Sequence, residues 1–139
     1  MSAALVDAGP LVAAFGANQP QGKRYQALFK VAADDLSSLA TTWPCIVVAS
    51  YLLDPPQRNA MLRWVAAGAI SVYPFAQESV EAMVELMRKY TEPPRSEMDF
   101  ADASLLWLAA DTNVNRIMTM DERDFSRYRL PDGRGFEIL

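Results

Sequence analysis

The chain has 139 residues, 51% hydrophobic and 22% charged, enough to bury a core and the length of one ordinary domain, residues 1–139, with no internal repeat or linker. A net charge of −4 and a pI of about 4.8 exclude a broad electrostatic grip on nucleic acid, leaving a local basic patch or a bound cation to bring in a phosphate. Zero histidines and a single cysteine, Cys45, exclude Ser-His-Asp and Cys-His catalysis, histidine or all-cysteine zinc sites and an intrachain disulfide.

In chain order, AALVD reads as a short buried strand ending in an acid, with AGP as the turn after it. PLVAAFG has Pro10 near the start of a short helix, and QGKRYQALFKVAADDL places Tyr25, Leu28, Phe29 and Ala32 at helical spacing. A short strand follows at Leu39–Thr41. PCIVVASYLL is either a buried helix or a strand; its start at Pro44 and its run to Leu53 favour a helix. QRNAMLRWVAAG is a further helix stopped at Gly68, and AISVYPF a strand. QESVEAMVELMRKY sets Val80, Met83, Val84 and Met87 on one core-facing stripe, with Glu85 and Lys89 as an i,i+4 pair. TEPPRSE is a loop before the helix MDFADASLLWLAADT. RIMTMD is a buried strand ending in an acid, ERDFSRY a turn or short helix, and FEIL a final edge strand. This alternation predicts an α/β sandwich with a mostly parallel sheet. No apolar run approaches the roughly 20 residues of a membrane span. The N-terminus has no positive region and is broken by Asp7 and Pro10, so it does not read as a signal peptide. The lone cysteine favours a reducing compartment, and the expected location is the cytoplasm.

In open parallel sheets, functional groups collect beyond the carboxyl ends of the strands. Two predicted strands end there in Asp7 and Asp121, and Asp102 lies in the first turn or so of a helix starting at the same edge. Carboxylates that close repel, so one takes up a proton or a cation neutralises them. Without histidine, the cation expected among oxygen ligands is Mg²⁺ or Mn²⁺, and such an ion can activate water and stabilise charge on a phosphodiester. Each acid also has a plain structural reading. Asp99 and Asp102 are spaced as a capping pair, Asp7 suits the turn before Gly9 and Pro10, and Asp121 and Asp124 suit the cap of a short helix holding Phe125. Arg123, Arg127, Arg129 and Arg134, with Lys23, Arg24 and Lys30 near the first acid, are the cations available to phosphates; a solvated surface explains scattered arginines equally well. Trp43 and Trp64 read as core or interface, and apolar faces on the helices at 44–53 or 57–67 as interior or dimer contact.

Four stretches taken together, LVDAGPLVA, TTWPCIVVASYLL, MDFADASLLWLA and RIMTMDERDFSRYR, resemble the motifs of PIN domains. The likeness is greatest to the VapC-type toxin ribonucleases of prokaryotic toxin–antitoxin pairs, and it covers nearly the whole chain. It implies a PIN-like three-layer α/β/α sandwich, dependence on Mg²⁺ or Mn²⁺, RNA as substrate, a cognate antitoxin as partner, and a homodimer. Residue by residue, it makes Asp7, Asp102 and Asp121 catalytic and metal-binding, with Asp124 a further metal ligand and Asp99 and Thr119 accessory. Among the cations, Arg123 and Arg127 are expected to hold substrate. The second motif departs from its relatives, which have a glutamate where this chain has Val48. No acid occurs between Asp35 and Asp54, and Asp54 lies about 9 Å further along a helix. TEPPRSE is also longer than usual for the family.

The expected function is therefore a metal-dependent endoribonuclease that hydrolyses RNA phosphodiesters, attenuated by the missing acid. The alternative is a PIN-fold module that binds an antitoxin or RNA without turnover. A phosphoacceptor domain fits poorly: DAGPL lacks the second aspartate of a DxD motif, and no lysine follows IMTMD where a receiver needs one.

Overall fold

The computed structural model describes residues 3–139, so the first two positions of the expected 1–139 domain lie outside the described residues. The chain runs β1 (Ala3–Val6), α1 (Ala8–Phe15), α2 (Gly22–Asp34), β2 (Ser38–Thr42), α3 (Trp43–Leu52), α4 (Pro55–Ala66), β3 (Ser71–Tyr73), α5 (Ser79–Tyr90), α6 (Phe100–Thr112), β4 (Arg116–Met118), α7 (Glu122–Phe125) and β5 (Glu137–Ile138). The strands form one sheet in the order β3-β2-β1-β4-β5, parallel at every pairing rather than only mostly so.

The chain lays down β1, β2 and β3 in one direction, then returns to place β4 and β5 on the other side of β1. Right-handed crossovers send the helices of these two runs to opposite faces. Helices α2 and α6 both pack against β2, and the result is a three-layer α/β/α sandwich. Central β1 has Leu5 and Val6 fully buried, as a parallel strand covered on both faces requires. Helix α6 buries Ala101, Ala103, Leu105, Leu106, Leu108 and Ala109; a helix apolar on nearly every side belongs in the core. It ends at Asn113 with a left-handed φ of 61°, a common helix stop. Gly68, expected to end α4, follows it with φ of 88°, where a β-carbon would be strained.

Two local expectations change. On α5, Met83 and Tyr90 are buried while Val84 is 43% exposed; the core-facing line runs through Met83, Leu86, Met87 and Tyr90. Glu85 pairs with Arg88 at 2.8 Å, and Lys89 instead lies over the Tyr90 ring. The two tryptophans also separate. Trp64 packs between the rings of Phe15 and Phe29, whereas Trp43 is half exposed. Among the described residues, no helix is long and apolar enough to cross a membrane.

Candidate functional site

The strand order reverses between β1 and β4, and such a switch point opens a crevice beyond the carboxyl ends of the strands. Asp7 directly follows β1 and caps α1, its Oδ1 accepting from the Ala8 backbone N–H at 2.8 Å. Its own N–H donates to the Met118 carbonyl at 3.0 Å, which ties it to β4. Thr119 follows β4 and donates from Oγ1 to Asp7 Oδ2 at 2.8 Å. The same Oγ1 accepts from the Asp121 N–H at 3.0 Å, so one hydroxyl aligns both acids. Tyr25 of α2 steadies Thr119 by donating to its carbonyl at 3.2 Å. Asp121 lies three residues beyond β4 rather than at its end. It caps α7, accepting from the Asp124 N–H at 3.2 Å. Asp99 caps α6 by accepting from the Asp102 N–H at 2.8 Å, as the spacing predicts.

These carboxylates share one electrostatic neighbourhood. Burial raises the pKa of Asp7 to about 6 against the hydrogen bonds from Thr119 and Ala8, and the charges of Asp99 and Asp121 add to the rise. Asp102 is pushed up to about 8, first by burial and then by Asp7 and Asp99, while a hydrogen bond from Tyr128 opposes the shift. Asp121 is raised as well, chiefly by burial. A proton or a cation relieves crowding of this kind. The Tyr128 hydroxyl donates to Asp102 Oδ2 at 3.0 Å. Its ring is fully buried in edge contacts with Tyr90 and Phe125, and burial together with the Asp102 charge keeps the phenol protonated.

The PIN domain family matches the chain over residues 4–130. The chain belongs to the PIN domain family. No curated protein matches the sequence. PIN domains are generally metal-dependent nucleases, so nuclease-type hydrolysis is the class of function that membership supports.

The donor chemistry of this PIN domain suits a hard dication. The acids offer only oxygen, and Cys45, its thiol pushed up to about 12 by burial, stays protonated in the core. Among the described residues, Asp102 Oδ1 and Asp121 Oδ2 accept no hydrogen bond. No group of three or more Asp, Glu or Cys side chains among those residues is close enough to hold one metal ion. The acids are electrostatic neighbours without forming a finished cage. Mg²⁺, which usually keeps several waters, tolerates such an arrangement.

The remaining expected residues divide. The Asp124 carboxylate is paired with Arg127 at 3.2 Å. Arg127 also donates to Ser96 Oγ at 3.0 Å and to the Tyr90 carbonyl at 3.2 Å, fastening the 91–97 loop to α7. Its guanidinium is thus directed at the protein. Arg123 is exposed and donates to the Arg95 carbonyl at 2.9 Å. Arg24 lies over the Tyr25 ring and lines a cavity of about 280 Å³ with Gln21, Thr119 and Glu122. Val48 lines a separate apolar cavity of about 550 Å³ with Trp43, Val47, Phe75, Asp99 and Phe100.

Sequence reasoning missed the buried hydroxyls beneath the acids. Thr41 donates to the Val6 carbonyl at 2.7 Å, and Thr42 Oγ1 lies 2.6 Å from Ser104 Oγ, bracing α6 on β2. Two threonines and a serine inside apolar runs were the available signal, since a buried hydroxyl needs a partner. Tyr128 gave none, because an aromatic after an acidic turn reads as packing.

Proposed function

We propose that this PIN domain is a Mg²⁺- or Mn²⁺-dependent endoribonuclease of the VapC toxin type, attenuated because Val48 stands where an acidic ligand is expected. The observation that supports this most is the group Asp7, Asp102 and Asp121 at the sheet's switch point, all with raised pKa values, with the charge of Asp121 adding to the rise at Asp7 and the charges of Asp7 and Asp121 to that at Asp102. A bound dication would supply water activation and charge stabilisation on the phosphodiester. Asp7, Asp102 and Asp121 would hold it, with Thr119 orienting Asp7 and Tyr128 orienting Asp102. Asp124 would contribute only outside its pair with Arg127. Asp99 adds negative charge while it caps α6. Lys23, Arg24 and Arg123 would be cations free to meet RNA phosphates, and Arg127 holds α7 in place. A cognate antitoxin would restrain the enzyme, and both would act in the cytoplasm.

Purified protein with Mn²⁺ should cleave single-stranded RNA, and Asp7→Asn and Asp102→Asn should each lower the rate by about 100-fold or more, the scale of losing an electrostatic stabiliser. Equal cleavage by Asp7→Asn would assign the activity to a contaminant. The absence of a three-acid cage among the described residues favours a second reading, a binding module without turnover. No cleavage by the wild type, with cleavage gained in Val48→Glu, would support that reading instead.

A further inference from the structure

Beside the acid group, Trp43, Val48, Phe75 and Phe100 wall a cavity of about 550 Å³, and Asp99 is the only charged side chain among the described residues that line it. That volume falls within the roughly 300–1,000 Å³ of small-molecule sites. Trp43 and Phe100 are 50% and 39% exposed. The Phe100 ring is braced, because Phe75 meets it edge-on at 6.0 Å and Trp107 packs against Phe75 at 5.7 Å. A braced ring loses little freedom when a flat ligand lies on it. Asp99 uses Oδ1 to accept from the Asp102 N–H, and its Oδ2 accepts no hydrogen bond among the described residues. The charge of Asp99 also acts on Asp7 and Asp102, so the cavity and the acid group share a carboxylate.

We propose that this cavity receives an unpaired, amino-bearing base of an RNA strand, and that Trp43, Phe100 and Asp99 thereby select which nucleotide lies beside the acid group. The base follows from the cavity; that it belongs to RNA rests on the nuclease reading. Aromatic faces hold any base by stacking, with little regard to sequence. Selection therefore falls to Asp99, whose free oxygen can only accept. Adenine, cytosine and guanine each carry an amino group that can donate to it. Uracil presents carbonyl oxygens instead, and its lone N–H lies between two of them, so a carboxylate repels that edge. Val48 keeps the wall hydrocarbon, where an acid would add a charge that the base must desolvate. An apolar side chain from a protein partner would also fill the walls. It would cover Asp99 Oδ2 without giving it a donor, at a cost the amino group avoids.

Adenosine and uridine carry no phosphate, so titrating each into the metal-free, isotope-labelled full chain tests the cavity apart from the nuclease reading. The chain has three tryptophans, and Trp43→Ala identifies the indole N–H resonance of Trp43. Adenosine should shift that resonance and leave the one from Trp64, packed between Phe15 and Phe29, in place. Uridine should require about tenfold more, the scale of one discriminating base contact. Phe100→Ala should weaken adenosine by about tenfold, with an unmoved Trp64 resonance reporting that the variant is folded. Asp99→Asn keeps the cap, since asparagine caps as well as aspartate, but turns an amide donor to the cavity, and it should reverse the preference to uridine. With Mg²⁺, an adenylate hexamer should bind at least tenfold tighter than adenosine, because one strand engages both sites. No shift at Trp43 up to about 10 mM nucleoside, beyond millimolar dissociation constants, overturns the proposal. So does an equal response to the two nucleosides, or an adenosine preference that survives Asp99→Asn. A hexamer no tighter than adenosine overturns the RNA strand as occupant and makes the cavity a site for free nucleosides. A chain that passes these tests yet cleaves no RNA loses the nuclease reading and keeps the base site.

Discussion

Asp102 is held at a pKa of about 8, whereas an aspartate in an unfolded chain titrates near ~3.9. The folded protein therefore binds that proton more tightly than the unfolded one. Its contribution to stability is full below about pH 4 and is lost as the pH rises through 8. Asp7, raised to about 6, acts in the same direction over the lower part of that window. The ion-free protein should melt at a higher temperature at pH 5 than at pH 8.5. Asp102→Asn removes the charge yet keeps an acceptor for Tyr128. At pH 8.5 it should stabilise by about 1–2 kcal/mol, or roughly 5 °C, with little effect at pH 5. Thermal melts at the two pH values check this, and a drop at both would show that the fold needs the carboxylate itself.

At the scale of elements, Asp7, Asp99 and Asp121 each cap a helix, so one sequence signal served two readings. The caps and strands were legible because capping spacing and apolar runs are local. The rotation of α5 was not: Met83 and Val84 are adjacent and both apolar, and only the packed neighbours decide which one is buried. Nor was the inward turn of Arg127, whose partners at Tyr90 and Ser96 are 37 and 31 positions away. That clasp carries a prediction. Arg127→Ala should destabilise the protein by about 1–3 kcal/mol, as expected for lost hydrogen bonds to a charged group. It should also speed amide hydrogen exchange in the 91–97 loop and in α7. Unchanged exchange in both segments would mean that the contacts fasten nothing.

For the whole molecule, strand order brings residues 7 and 119–121 to one crevice. The sequence revealed five strands and their succession, but no local pattern says that β4 returns to lie beside β1. That placement comes from long-range pairing, and the acid site depends on it. The net charge of −4 and the crowded carboxylates both favour a dication, and protons compete for the same oxygens. Calorimetric titration with Mn²⁺ should show binding about tenfold or more weaker at pH 6 than at pH 8, the direction set by ligands that must lose protons. An affinity independent of pH would locate the ion away from these acids.

The hydrogen bond from Thr119 to Asp7 spans 112 positions. A ribosome making this chain at roughly 5–20 residues per second therefore releases Asp7 several seconds before its tether. Until β4 follows, β1 lacks the neighbour that completes its far side. A product truncated before Met118 would carry Asp7, Asp99 and Asp102 without the crevice that gathers them, so the nascent protein acquires its acid centre only once β4 and Thr119 have been made.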